Sequence, residues 1–393
     1  MNDNKDDIKS KVDLSNWRFP PYNRWAFQHV SELVESVDIE NDPSNTWSLP
    51  ENLQPIEHIV VQGNDGSEIS FDQFLNQSFT DGFIVIKDQE IVYERYLNGM
   101  NKNSKHILMS VSKSVLGLVT GILIDRKEID ANILIGECLP ELKDSGYYDC
   151  TVQNLLDMTA AVDFDEDYYA TSGPMIAYRR STNWDPPEND INGQQDLKLF
   201  LAGMGRRSDP HGQIFKYTSP NSDLLGWVIE RSTGKTFQEV MSEVLWKPIG
   251  ANDSAFVTID SSGSPRTAGG INMSLRDLAL LGNLVANGGY RDKEQIISNK
   301  WLGQLFDGDK RAWESGNFAE YFNGMPITYR NQWYTLHQTN PIVFCVGIYG
   351  QYMFVDVNNK IVIAKFSSQE YPLDPDQKKV MSNACLSIIE AIT

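Results

Sequence analysis

The sequence predicts an α/β chain of the α+β kind, with an antiparallel sheet flanked by N- and C-terminal helices and a mainly helical subdomain inserted into it. Three observations predict this. Strand-like apolar runs fall in two separated stretches, 82–97 and 341–367, while the part between about 125 and 255 is patterned for helices with long polar loops. A last helical run, 377–392, closes the chain. Strands divided between the two ends imply a sheet completed late, with the helical part carried as an insertion. The expected division is 15–109 plus 256–393 for the sheet part and 110–255 for the helical part, with the active site at their interface and 1–14 as a disordered N-terminus.

Residues 1–14 are polar and show no apolar periodicity, and 25–34 reads as an amphipathic helix after the Pro20-Pro21 break. The runs 82–87 and 90–97 flank Asp88-Gln89 and read as a β-hairpin. Residues 111–124 have the length and residue choice of a buried helix, and further helices are expected over 151–159, 197–201, 222–231 and 237–246. Strand signal then returns only near the end, over 341–347, 351–357 and 360–367, with Asn358-Asn359 as a tight-turn pair.

Composition narrows the function. A formal net charge of -19 over 393 residues argues against nucleic acid and anionic membranes, which are bound through clustered Lys and Arg. The first residues have no apolar leader and no later stretch approaches the length of a membrane span, so the expectation is a cytoplasmic monomer or homodimer acting on small molecules. Cys138, Cys150, Cys345 and Cys385 have no C-x-x-C spacing, and the histidines form no H-x-x-x-H pair. No metal or other cofactor is therefore expected, and the cysteines read as reduced thiols.

Chemistry first becomes legible at Ser110-Val111-Ser112-Lys113. Residues three apart on a helix share a face, and a desolvated lysine loses proton affinity, so Lys113 could take the proton of Ser110. A serine at a helix start also has its backbone N–H beside the positive end of the dipole, where an oxyanion is stabilised. The alternative is that Ser110 is only a cap and that Lys113 reaches along the helix to water. A second Ser-x-x-Lys, Ser232 to Lys235, follows a helical run and contains Gly234, so it reads as a helix end.

Two further segments follow in order. Tyr217-Thr218-Ser219 precedes a helix, and a tyrosine near a lysine ammonium ionises more easily and can shuttle a proton to a leaving group. Cys345 to Gln351 carries Gly347 and Gly350 in a strand-like run, where glycine admits a close backbone or substrate.

Together the three segments resemble the active-site motifs of the serine β-lactamase and penicillin-binding-protein superfamily, on its class C and esterase side. The run 151–159 resembles the superfamily's "LLxHT" turn, and 269–278 its "GG…S..DL" segment. The stretches at 20–25, 110–114, 211–227 and 347–351 are similar to those of 6-aminohexanoate-oligomer hydrolases, beside the family VIII-type esterases. The resemblance implies the β-lactamase/transpeptidase-like fold and a serine hydrolase of small amides or esters, including short amino-acid oligomers, working through an acyl-enzyme. It implies Ser110 as nucleophile, Lys113 as base, Tyr217 as proton relay, and the backbone N–H groups of Ser110 and Ile348 as oxyanion hole. Ser219 stands where many relatives have Asn and is expected to bond the lysine or the substrate, with Gly347 in support. Where β-lactamases and penicillin-binding proteins carry Lys-Thr-Gly, this chain has Cys345, Val346 and Gly347, which removes the cation that holds a β-lactam carboxylate. A DD-peptidase or β-lactamase is the rival enzyme, and a non-catalytic binding or sensor protein the rival class. Substrate choice is expected from the loop 163–169, with Asp167 and Tyr168 as candidates to receive an ammonium and an amide; the bland alternative is a solvated acidic loop.

Overall fold

The computed structural model describes residues 8–187, 196–316, 318–322 and 324–393. Its main sheet has seven strands: β1 (Thr80–Lys87), β2 (Glu90–Tyr96), β3 (Ile327–Arg330), β4 (Trp333–Leu336), β5 (Ile342–Gly347), β6 (Gln351–Asp356) and β7 (Ile361–Ser367). The order across the sheet is β3-β4-β5-β6-β7-β1-β2, and every pairing is antiparallel. The closing strands thus join the early hairpin through β7 against β1. Asp88 and Gln89 turn that hairpin with φ of 49° and 68°, the left-handed pair a two-residue turn requires. The turn after β6 differs from expectation. Its left-handed residue is Lys360, with φ 51°, while Asn359 N–H donates to Asp356 Oδ1 at 3.0 Å.

Side chains along each strand divide between two cores, as a period of two dictates. Ile84, Ile86, Val355, Val362 and Ala364 face one core, and Phe83, Val85, Phe354, Ile361 and Ile363 the other. Four helices matter for the site: α1 (Val111–Asp125), α2 (Ser219–Thr233), α3 (Leu275–Ala286) and α4 (Pro375–Ile392). The first core takes α1, α2 and α3, and the second takes α4. Every residue of α1 from Val111 to Leu123 is buried. Each of its aliphatic side chains contributes roughly 1.5–3 kcal/mol on burial, which offsets the cost of carrying Lys113 inside.

Several expectations need correction. Residues 25–34 do not form one helix: the structure has only Asn23–Ala26 and the single turn Val30–Glu32. Residues 8–14 are seated on the protein, with Val12 and Leu14 packed against the aromatic cluster of Trp17, Phe27 and Trp184; residues 1–7 lie outside the described set. A second, four-stranded antiparallel sheet also appears, made of Ser36–Ile39, Ala255–Thr258, Ile271–Ser274 and Lys105–Ile107 in that order. Strands of three or four residues are too short to show alternation in sequence. Lys105–Ile107 leads directly into α1, so this small sheet fixes where the serine enters. Among the described residues no helix is long and apolar enough to cross a membrane, and all four cysteines are free thiols.

Candidate active site

Ser110 precedes α1 with φ −67° and ψ −7°, and its side chain makes no capping bond. Its hydroxyl therefore remains for another partner. Lys113, one turn on, is 2 % exposed and does not reach water. Its Nζ donates to Ser110 Oγ at 2.9 Å and to the Ala268 carbonyl at 2.8 Å. Burial pushes the ammonium down to about 8, with Arg266 adding to the fall and Glu166 and Asp223 opposing it. The Ser110 hydroxyl is thus bonded to the lysine and not spent as a helix cap. The second Ser-x-x-Lys is structural: Ser232 lies in the last turn of α2, which ends at Gly234 in the left-handed conformation.

Tyr217 lies just before α2, its ring 5.0 Å from Lys113 Nζ and stacked on Phe318 at 5.1 Å between centroids. Its acidity departs from expectation. Burial, then the charge of Glu166, hold the phenol well above its ordinary value, with Ser110 only partly opposing them. Tyr217 is therefore a neutral O–H in the resting site, able to pass a proton on without first ionising. His211, from the same stretch, is used for support: Nδ1 accepts from Ala161 N–H at 2.8 Å and Nε2 lies 3.0 Å from Asp149.

Ser219 does not bond the lysine. Its backbone N–H and hydroxyl both donate to Glu166, each at 2.5 Å, and Tyr168 donates to the same carboxylate at 2.7 Å. Glu166 is thus the carboxylate of this loop that reaches the cleft, and the sequence reading did not single it out. Asp167, chosen in its place, is exposed and accepts from Tyr169 N–H at 2.9 Å within its own loop. A period-two reading anchored on buried Phe164 would have turned Glu166 and Tyr168 inward and Asp165 and Asp167 outward, as the observed burial does.

Ile348 opens the three-residue turn joining β5 to β6, where Gly347 pairs with Gln351. The turn is pinned by the Gln351 amide, which donates to the carbonyls of Tyr349 at 3.2 Å and Ser367 at 2.6 Å. A Cβ on Gly347 would come within 2.6 Å of the Leu108 carbonyl, so glycine lets this strand close against the approach to Ser110. The same strand brings no cation: Cys345 is buried, its thiol pushed up to about 12.

Ser110, Tyr168 and Ile348 stand where two lobes of one cleft meet. One lobe is aromatic, walled by Tyr217, Phe318, Tyr321, Phe322, Tyr334 and Tyr352. The other is lined by Arg18, Arg179, Arg266 and Glu166 with Met175 and Trp184. Of the predicted residues, Ser110, Lys113 and Tyr217 come together and Ser219, Ile348, Gly347 and Tyr168 border them; Asp167 alone stays outside.

A family model described as Beta-lactamase matches residues 71–386. A 6-aminohexanoate-dimer hydrolase of Paenarthrobacter ureafaciens is 32% identical over 368 residues, which is 93% of this chain and 89% of the relative. Among solved structures, a protein assigned as a 6-aminohexanoate-dimer hydrolase from Bacillus anthracis superposes with a TM-score of 0.89 at 27% identity, covering 98% of each chain. A family VIII carboxylesterase shares the fold, with a TM-score of 0.59 at 16% identity over 87% of this chain and 100% of its own.

Proposed function

The chain belongs to the beta-lactamase family and is a serine hydrolase of amides or esters, and we propose that Ser110, Lys113 and Tyr217 carry that chemistry on small-molecule substrates. The observation that carries the reading is a lysine sealed from water with its Nζ 2.9 Å from a serine hydroxyl. Neutral Lys113 takes the proton of Ser110 as Oγ bonds to the carbonyl carbon. The backbone N–H groups of Ser110 and Ile348 receive the oxyanion. As the C–N or C–O bond breaks, the leaving atom takes the Tyr217 proton, and Tyr217 is resupplied from the Lys113 ammonium. Water then adds to the acyl carbon by the same groups in reverse, its proton passing to Lys113, and Ser110 leaves with a proton. The division expected from sequence, 110–255 against 15–109 with 256–393, places this chemistry between a helical and a sheet part.

The absence of a cation at Cys345 to Gly347 supports amides and esters over β-lactams or DD-peptides. The test is intact mass after exposure to a fluorophosphonate, run beside Ser110→Ala and Lys113→Ala. One adduct on the native protein, none on Ser110→Ala and strongly slowed labelling of Lys113→Ala are expected. A folded native protein that takes no adduct would end the reading in favour of a binding protein.

A further inference from the structure

The lobe lined by Arg18, Arg179 and Arg266 has no role in the steps above. All three side chains are almost wholly buried. Asp185 bridges two of them, lying 3.0 Å from Arg179 Nε and paired with Arg18. Arg266 lies over the rings of Trp184 and Tyr178, at 4.0 and 4.4 Å, and donates to Thr182 Oγ1 at 2.5 Å. The other carboxylates nearby are already used: Glu166 by Ser219 and Tyr168, and Asp223 by Tyr178 and the Ala268 N–H. Among the described residues Asp185 is thus the carboxylate the guanidiniums share that is not already engaged by neutral donors. That leaves a local positive excess inside a chain of net charge -19. Burial and then Arg18 hold the Arg179 guanidinium below its usual value, with Arg266 adding to this and Asp185 only partly compensating. The Nε atoms of Arg18 and Arg266 have no hydrogen-bond partner. A guanidinium cluster of this kind gains most from a carboxylate, which takes paired N–H donors.

The position of Tyr217 decides which part of a substrate enters. It lines the aromatic lobe and not this one, so a leaving atom protonated by Tyr217 departs into the aromatic lobe and the acyl chain lies toward the arginines. Met109, Met175 and Trp184 give that chain an apolar wall. We infer that the substrates are half-amides or half-esters of dicarboxylic acids, with the free carboxylate held by Arg18, Arg179 and Arg266 and an aromatic or apolar amine or alcohol as leaving group. Hydrolysis then breaks the scissile C–N or C–O bond, water supplying hydroxyl to the acyl carbon and a proton to the leaving atom. The inference rests on the acyl-enzyme reading and excludes an ammonium-ended acyl chain.

The test compares glutaryl, adipyl, butyryl and 4-aminobutyryl p-nitroanilides. The better of the two carboxylated acyl groups should exceed butyryl in kcat/KM by tenfold or more, with 4-aminobutyryl the poorest. Arg179→Gln should cut the carboxylate-to-butyryl ratio by at least tenfold, mainly through KM. Equal turnover of glutaryl, adipyl and butyryl, a preference for 4-aminobutyryl, or an unchanged ratio in folded Arg179→Gln would overturn the inference. Calorimetry of glutaranilic acid against butyranilide on Ser110→Ala reads the same preference without turnover. Preferential binding of the acid alongside a native protein that cleaves nothing would sink the acyl-enzyme mechanism and leave the anion site standing. Turnover without any such preference would do the reverse.

Discussion

Lys113 must be neutral to accept a proton, so the acid limb of the rate should report its ionisation. The ammonium falls from 10.5 to about 8, a change worth about 3 kcal/mol that burial imposes against the pull of Glu166 and Asp223. With a value of about 8, roughly a tenth of the protein carries a neutral lysine at pH 7 and roughly nine-tenths at pH 9. Under kcat/KM conditions the rate should therefore rise about tenfold between those pH values and level above pH 9. A p-nitrophenyl ester is the substrate of choice, because its leaving group needs no proton and the limb then belongs to the base. Glu166→Gln gives the internal control. It keeps one acceptor oxygen, turns the other into an amide NH2, and removes a charge that favours the ammonium, so the limb should move to lower pH. A profile flat from pH 6 to 9, or a Glu166→Gln limb displaced upward, would refute Lys113 as the titrating base.

Tyr217→Phe should depress anilide cleavage at least tenfold more than p-nitrophenyl ester cleavage, because only the amine needs protonation to leave; equal losses in parallel kcat measurements would remove the relay role. Gly117 sits in α1 where a Cβ would come within 2.4 Å of the Asn331 carbonyl, so Gly117→Ala should cost about 1–3 kcal/mol in urea unfolding, and an unchanged midpoint would show that β3 and β4 yield easily. Lys365 is fully buried, donates to the Ser78 carbonyl at 3.0 Å and is pushed down to about 7 by burial. Its folded state binds fewer protons than the unfolded chain between pH 7 and 10, so it makes stability rise with pH across that window. Lys365→Met should flatten the rise by up to about 1.4 kcal/mol per pH unit without lowering stability at pH 7; an unaltered slope would mean that Lys365 stays charged when folded.

What could be read from sequence here is what chemistry forces to be local. In a Ser-x-x-Lys pair the two side chains share one helix face by sequence spacing alone, so Ser110 and Lys113 announce themselves within four residues, and the long strands β1, β5, β6 and β7 show themselves because both faces of the sheet are buried. Assembled features leave no such trace. The short strand Lys105–Ile107 aims the serine through pairs with Ile271–Ser274, more than a hundred and fifty residues away, and three residues cannot display a period. In the loop 163–169 charge counting ranks Asp165, Glu166 and Asp167 alike, whereas the alternating burial after Phe164 turns only Glu166 to the cleft. Tyr217 does lie beside Lys113, yet the lysine alone does not set its ionisation; burial and Glu166 outweigh that one cation. The arginine lobe is the extreme case. Arg18 comes from the N-terminal segment, Arg179 from the helix Pro174–Ser181 and Arg266 from the loop before Ile271–Ser274. A lone arginine in sequence names no ligand; folded beside two other guanidiniums, Arg179 becomes an argument for a carboxylate. The Ser-x-x-Lys pair is thus legible in a chain whose substrate is not, because here the serine and the lysine are neighbours along one helix whereas the arginine lobe is gathered from three distant segments.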